Sequence, residues 1–321
     1  MATIPQLIFR SRPSQKLIRL TDSWKPPGFD GSSLYLVSKT LIREIQVHRL
    51  NVRAAAVTYN FLMAIPPSLL FFCSLVPYLP LHGVQDSILT LLRVMTPNES
   101  SYKSISVIIV DFLTNERRDI LSFGILSTFF FSSNGIMGLM RTFDRSLPMY
   151  VARGGLKRRW TAIKLTAMVL LVVLLTIGAL IIQTDYVNNL IDSIFGFVAL
   201  VHTLTLLIVV AMIFLVICVI YTYGPSLTQR FRFFSPGAIV ATVLSVLITV
   251  VFFFLVKNVI HYNKIYGSIG TLMALMVWIF LLTQTLLLGY ELNVSILLSK
   301  LARKSAPLQP ADLPAHRDMD R

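Results

Sequence analysis

The chain has 321 residues, 55% of them hydrophobic and only 14% charged, with a mean hydropathy of +0.71, where a soluble domain carries about 25% charged residues. That balance excludes a water-soluble globular enzyme and points to an integral membrane protein. A formal net charge of +14 would suit nucleic acid, because basic surfaces displace counterions from phosphate, but the cations gather in alternate loops and no nucleic-acid partner is expected.

In chain order, residues 1–33 are basic, rich in Pro, Ser and Gly, and interrupted by "WKPPGFDGSS". They hold no short apolar core with a cleavage site, which predicts a flexible cytoplasmic arm rather than a removed signal. A membrane domain over 34–300 follows. At its start Leu34, Val37, Leu41, Ile45, His48 and Val52 recur at helical spacing while Lys39 and Arg43 point away, which predicts a basic amphipathic helix. Such a helix either lies on the inner leaflet or packs on the bundle as an ordinary cytoplasmic helix. Leu36, Val47 and Leu50 fall off the stripe.

Crossing about 30 Å of hydrocarbon takes roughly 20 apolar residues in a helix. Six runs qualify, at about 54–78, 120–140, 160–182, 200–223, 236–256 and 271–297. Of the 29 Lys and Arg, 22 lie before the first run, between the second and third, between the fourth and fifth, and after the sixth; six lie in the alternate loops, and Lys164 is inside the third run. Cations collect on the cytoplasmic side of bacterial membrane proteins. Both termini are therefore expected in the cytoplasm, the span count is even, and the first run serves as an uncleaved signal anchor. In the one long external loop, Val84, Ile88, Leu91 and Met95 form one helical stripe, and Ile105, Ile108, Ile109 and Phe112 a second. These predict two short external helices, since a crossing would strand Arg93 and Asp111 in lipid. Residues 301–321 read as a polar cytoplasmic tail. The expected fold class is an all-α integral membrane protein, a bundle of six transmembrane helices.

Within this frame several residue groups stand out. In the first run, Tyr59 and Asn60 precede Pro66 and Pro67, and two prolines remove two backbone donors, so the helix should kink or break unless neighbours satisfy the freed carbonyls. In the second, Gly124, Thr128 and Ser132, and likewise Asn134 and Gly138, follow at four-residue spacing, small surfaces on which another helix can approach closely. Arg141 and Asp144 close that run and are expected to pair with each other or with the acid of the sixth. That acid is Glu291, on one helical face with Gln284 and Leu288 and near Asn293; an ion pair with Arg141 or Arg232 is expected ahead of a proton relay. Before the sixth run, "HYNKIYGSIG" must turn the chain at the outer surface. Tyr262 and Tyr266 suit the headgroup zone, and Gly267 and Gly270 permit tight backbone angles or close helix contact. Cys73 and Cys218 fall within predicted spans and imply neither a disulfide framework nor a zinc cluster.

Taken together, "RAAAVTYNFLMAIPP", "SSNGIMGLMRTFD", "SPGAIVATV", "YNKIYGSIG" and "LLLGYELN" resemble, in order and spacing, the YihY / virulence factor BrkB family of bacterial inner-membrane proteins, from about Arg43 to Leu298. The resemblance implies six spans with both ends cytoplasmic. It implies no agreed catalytic set and no cofactor: members have been linked to serum resistance and to envelope lipid or lipopolysaccharide traffic, and many carry the label ribonuclease BN, a name regarded as misapplied. The motif positions that carry over are Tyr59, Pro66, Asn134, Pro225, Pro236, Gly237, Tyr262, Asn263, Tyr266, Gly267, Gly270, Gly289, Glu291 and Asn293. Many relatives have a basic residue where this chain has Asn134.

Three function classes follow. A permease or lipid-handling protein would use the first span and the polar groups Asn60, Asn134, Gln284 and Glu291 around one cavity, with a lipid or envelope component as substrate. A membrane scaffold would instead hold a second copy or an envelope-assembly partner. A nuclease comes last, because phosphodiester hydrolysis needs metal-binding carboxylates or histidines or a paired acid and base, and His48, His82, His202, His261 and His316 are scattered. No catalytic or metal residue is assigned, and the chain is expected not to be an enzyme.

Overall fold

The computed structural model describes residues 21–75, 118–144, 150–151, 153–181, 198–228, 230–258 and 268–305, with isolated positions between 89 and 111. Among these it is helical, with an isolated antiparallel bridge between Tyr150 and Leu227 and no strands. The described helices are α1 (Leu34–Val47), α2 (Leu50–Leu75), α3 (Arg118–Phe143), α4 (Gly155–Ile181), α5 (Val198–Tyr223), α6 (Pro236–Asn258) and α7 (Ser268–Ser305). The two external helices expected over 84–113 lie, isolated positions apart, outside the described residues.

Each boundary has a local cause. Ser33 caps α1 by accepting from Leu36 N at 3.3 Å, and Arg49, with φ 44°, turns the chain from α1 into α2. Ser235 does the same for α6, accepting from Ala238 N at 3.3 Å, with Pro236 in the first helical position where its missing N–H costs nothing. Gly224 and Pro225 end α5, since proline cannot continue the ladder.

Five stretches among the described residues are long and apolar enough to cross a membrane: Ser122–Phe143, Gly155–Thr176, Leu206–Tyr223, Pro236–Val256 and Leu272–Arg303. The remaining expected span, the first at about 54–78, falls on α2, a helix of 26 residues whose apolar run contains Tyr59, Asn60, Pro66 and Pro67, and which is not one of the five. Of the kink or break expected at those prolines, a break is absent. Helix α2 runs through both, with the Thr128 hydroxyl donating to the Pro67 carbonyl at 2.8 Å and the Ser68 hydroxyl to that of Ala64 at 2.7 Å.

The described chain falls into two compact units, residues 49–290 and residues 1–48 with 291–321. In the larger unit helices adjacent in sequence pack together from α2 to α6. Helix α6 turns Ile239, Val243, Leu247, Val250 and Phe254 outward, a face suited to lipid and costly in water. Its other face is small and hydroxylated. A methyl group at Gly289 of α7 would stand 2.5 Å from the Gly237 carbonyl and 2.6 Å from Ala241 Cβ, and the Ser245 and Thr285 hydroxyls meet at 2.9 Å. Close backbone approach and interhelical hydrogen bonds are what hold helices together where lipid removes any hydrophobic difference.

In the smaller unit, Val37 with Leu34 and Leu41 packs on Phe29, Leu292 and Ile296. The inward stripe of α1 is thus occupied by protein, while Leu36, Ile42 and Val47 remain exposed. The end of the arm is built in as well. Asp30 pairs with Lys300 at 2.6 Å and Arg303 donates to the Gly31 carbonyl at 2.8 Å, around a turn whose positive φ at Gly28 and Gly31 glycine supplies without strain. Helix α7 continues to Ser305, so 301–305, read as tail, is helical.

Candidate functional site

Where α3 runs out at Phe143, the basic loops converge on Asp144, the one acid between residues 120 and 184. One carboxylate oxygen accepts from the Ser226 backbone N–H at 3.1 Å and its hydroxyl at 2.6 Å; the other accepts from Arg158 at 3.2 Å. Asp144 therefore ties the end of α3 to the loop after α5 and to the first turn of α4. The pairing expected with Arg141 does not form: the Arg141 side chain is exposed and lies 3.9 Å from the Met137 sulfur. Helical geometry explains the difference, because Asp144 lies beyond the last turn and is free to face the neighbouring loop.

Arg153 completes the junction. Its guanidinium fork donates to the carbonyls of Gly224 at 2.9 Å, Pro225 at 2.8 Å and Tyr223 at 3.4 Å. A fixed planar cation thereby satisfies the acceptors that the last turn of α5 leaves open. Burial lowers its pKa, Asp144 opposes that shift, and Arg230 and Arg158 add to it. An arginine nevertheless stays charged in proteins. Beside it, Val151 N donates to Ser226 O at 2.7 Å.

Beneath the ionic layer lies an aromatic one. Phe143 stacks on Tyr290 with centroids 3.9 Å apart, and Tyr221 meets both edge-on at about 6 Å. The Tyr290 and Tyr150 hydroxyls are 2.7 Å apart, Tyr290 also donates to Phe143 O at 3.2 Å, and Tyr221 donates to Leu286 O at 2.5 Å. Gly289 makes room for this: a methyl there would come within 2.6 Å of the Tyr221 oxygen. Sequence reading named Gly289 and Pro225 but missed Tyr150, Arg153, Tyr221 and Tyr290. The available signal was the polar "YTYGPS" and "GYELN" at helix ends, where buried tyrosine needs a partner for its hydroxyl.

The other expected site residues fall at separate places. Tyr59 is 60% exposed. Asn60 donates to Ala56 O at 2.9 Å, and its side-chain nitrogen would meet a methyl at Gly138 at 2.9 Å. Pro66 is exposed on α2. Asn134 accepts from Arg159, whose guanidinium also stands over the Phe130 ring at 4.9 Å. Gln284 donates to Asn51 at 2.9 Å. Among the described residues Asn60, Asn134 and Gln284 thus have three different hydrogen-bond partners and are not joined to one another. Gly270 is buried near the start of α7. Tyr262, Asn263, Tyr266 and Gly267 lie outside the described residues. Glu291 is 0% exposed, with Asn293 and Ser295 buried after it; it opens the smaller unit's share of α7, whereas Arg141 and Arg232 belong to the larger unit. Among the described residues no group of three His, Cys, Asp or Glu could hold a metal ion.

Comparison with known proteins places this arrangement. The chain is 31% identical to the ribonuclease-like protein YfkH of Bacillus subtilis over 267 residues, 79% of this chain and 93% of the relative. It is 35% identical over 83 residues to UPF0761 membrane proteins of Xanthomonas axonopodis and Xanthomonas campestris, a match spanning 26% of this chain and only 20% of theirs. No solved structure matches. The family described as Virulence factor BrkB matches residues 41–313, and the chain belongs to that family.

Proposed function

We propose that this chain is a six-span protein of the bacterial inner membrane, with both termini in the cytoplasm and α2 as its first span, that transports or otherwise handles a lipid or another envelope component. The observation that carries the reading is Glu291, a carboxyl group at 0% exposure in the last apolar helix, followed by buried Asn293 and by a Ser295 hydroxyl that has no partner. An ionisable group buried in a span is expensive and belongs with a pathway or a switch more often than with a lipid-facing wall. The uneven distribution of cations supports the orientation, and the family membership supports the membrane setting.

In this reading the Asp144 and Tyr290 junction closes the cytoplasmic end of the bundle. Its links are charge-assisted or hydroxyl hydrogen bonds, which can open and re-form, whereas the small-residue seams between helices are shape-locked. The relative's ribonuclease-like name leaves hydrolysis as the weakest reading, and we take the chain as non-enzymatic.

The test is a flux or lipid-scrambling assay on purified protein in proteoliposomes. Activity in the wild type that Glu291→Gln abolishes, at unchanged yield and monodispersity, supports a conduit. Silence of the wild type at high protein load would sink the transport reading and favour a scaffold.

A further inference from the structure

Helix α1 carries a second stripe, which the core of its unit leaves open. At about 100° per residue Leu36, Lys39, Arg43 and Val47 fall within about 80° of one another, with Gln46 beside them, and all five are exposed. Leu36 and Val47 are 38% and 63% exposed, and Ile42, at the edge of the stripe, 57%. The stripe lies on the opposite side of the helix from Leu34 and Leu41, which with Val37 pack on Phe29, Leu292 and Ile296. Its two cations share the face with no acid. Glu44, the one acid of α1, lies off the stripe and pairs with His48 at 3.3 Å, and among the described residues neither Lys39 nor Arg43 meets a carboxylate.

Chain geometry sets the level at which this face stands. Helix α7 is 38 residues long, about 57 Å at about 1.5 Å per residue, nearly twice the hydrocarbon thickness of about 30 Å. About 20 residues cross that layer, and counted from Leu272, where the apolar stretch begins, they end at Glu291. Leu292, Ile296 and Ser299 therefore sit on the turns that pass through the headgroups. These are the residues on which α1 packs, the Thr40 and Ser299 hydroxyls standing 3.5 Å apart. Only His48 and Arg49 separate α1 from α2, the first span in the reading proposed above. A helix at that level, with apolar and basic side chains on one exposed face, meets headgroups rather than bulk water. The stems of Lys39 and Arg43 lie along apolar surface while their charges reach phosphate.

We propose that the face of α1 formed by Leu36, Lys39, Arg43 and Val47 docks on the anionic surface of the inner leaflet, its two cations on lipid phosphates and its two apolar side chains among the upper acyl carbons. The periodic stripe of Leu34, Val37 and Leu41 goes to protein, so lipid meets the face where Leu36 and Val47 fall off that stripe. Docking rests on the proposed orientation, with both termini cytoplasmic, and not on any transport activity.

The test uses the full chain carrying Cys73→Ala, Cys218→Ala and Gln46→Cys, spin-labelled at position 46 and reconstituted in nanodiscs of phosphatidylcholine alone or with phosphatidylglycerol. Phosphatidylglycerol should lower the collision rate of the label with a water-soluble nickel chelate and raise that with oxygen, the docked-to-undocked ratio rising about fivefold per cation. Lys39→Gln with Arg43→Gln should return both rates to their values in phosphatidylcholine, and molar salt should do the same. Rates indifferent to phosphatidylglycerol would overturn the docking and leave the orientation intact, as would a response that survives the double substitution. Equal shielding in both lipids, with dipolar coupling between labels, would overturn it in favour of a second copy on this face. Labelling of position 46 in intact cells by a membrane-impermeant maleimide would overturn the inner-leaflet assignment and the orientation together. Should the cysteine substitutions prevent folding, acetylation of Lys39 in the otherwise unaltered chain decides by the same criterion: slower with phosphatidylglycerol supports the docking, and no difference overturns it.

Discussion

Helix α3 is held by two unlike chemistries along its length. Through its first two thirds it meets α2 through absence of side chain: a methyl at Gly124 would stand 3.1 Å from the Phe71 backbone, and one at Gly135 2.8 Å from the Phe61 ring. At its end it is held by charge and hydroxyl, through Asp144, Arg158, Ser226 and Tyr290. Within hydrocarbon, burying an apolar side chain against protein rather than lipid gains little, so shape is what remains to select a partner. Where the helices run out and backbone carbonyls need partners, directional donors take over. The seam is consequently sensitive to volume and the junction to the loss of a single polar atom.

The largest effect is expected where both constraints meet. Gly289→Ala places a methyl 2.5 Å from a backbone carbonyl, 2.6 Å from Ala241 Cβ and 2.6 Å from the Tyr221 oxygen. None of these is the loose end of a flexible chain, so overpacking should cost about 3 kcal/mol, read as a lowered unfolding midpoint in detergent micelles. Next comes Asp144→Asn. Arg158 then loses its carboxylate, and the buried Arg158 Nε already lacks a partner. The pair is partly exposed, at 17% and 26%, which keeps the expected loss near 2 kcal/mol. If Asp144→Asn proves neutral while Gly289→Ala does not, the junction is ornamental and shape alone holds the inner end.

The same contrast explains what could be read from the sequence. Apolar runs located two of the helices to within two residues: 236–256 was expected and α6 is Pro236–Asn258, while 200–223 was expected and α5 is Val198–Tyr223. Continuous hydrophobicity is a property of the segment itself. The small-residue face of α3 was legible for the same reason, since spacing on one helix predicts a face. Partners were not legible. Asp144 had Arg141 as its candidate by proximity along the chain, and the cation it meets, Arg158, arrives from the next helix. Tyr221 and Tyr290 look like ordinary aromatics in apolar runs until their hydroxyls are placed. The unbroken course of α2 through Pro66 and Pro67 was not legible either, and neither was the bond that the Pro67 carbonyl accepts from Thr128 of α3, which no reading of α2 alone could supply. The arm's end failed similarly: composition read 1–33 as flexible, but Asp30 and Gly31 are held by Lys300 and Arg303, about 270 residues away.

Two smaller predictions set the junction against the seam. Tyr150→Phe removes the hydroxyl that meets Tyr290 at 2.7 Å, but Tyr290 keeps its bond to Phe143 O. The loss should be about 1 kcal/mol, as for one neutral hydrogen bond, measured in the same unfolding assay. Gly138→Ala should do less. The three atoms nearest the added methyl all belong to Asn60, the closest being its side-chain nitrogen at 2.9 Å, the movable end of a side chain bonded to its own helix. Asn60 can turn aside, and the alanine gains up to about 1 kcal/mol of helix propensity over glycine, so the net change should lie within about 0.5 kcal/mol. A loss comparable to that of Gly289→Ala would mean Asn60 is fixed in place. The α2 and α3 seam would then be as specified by polar geometry as the junction is, and the distinction between them would fail.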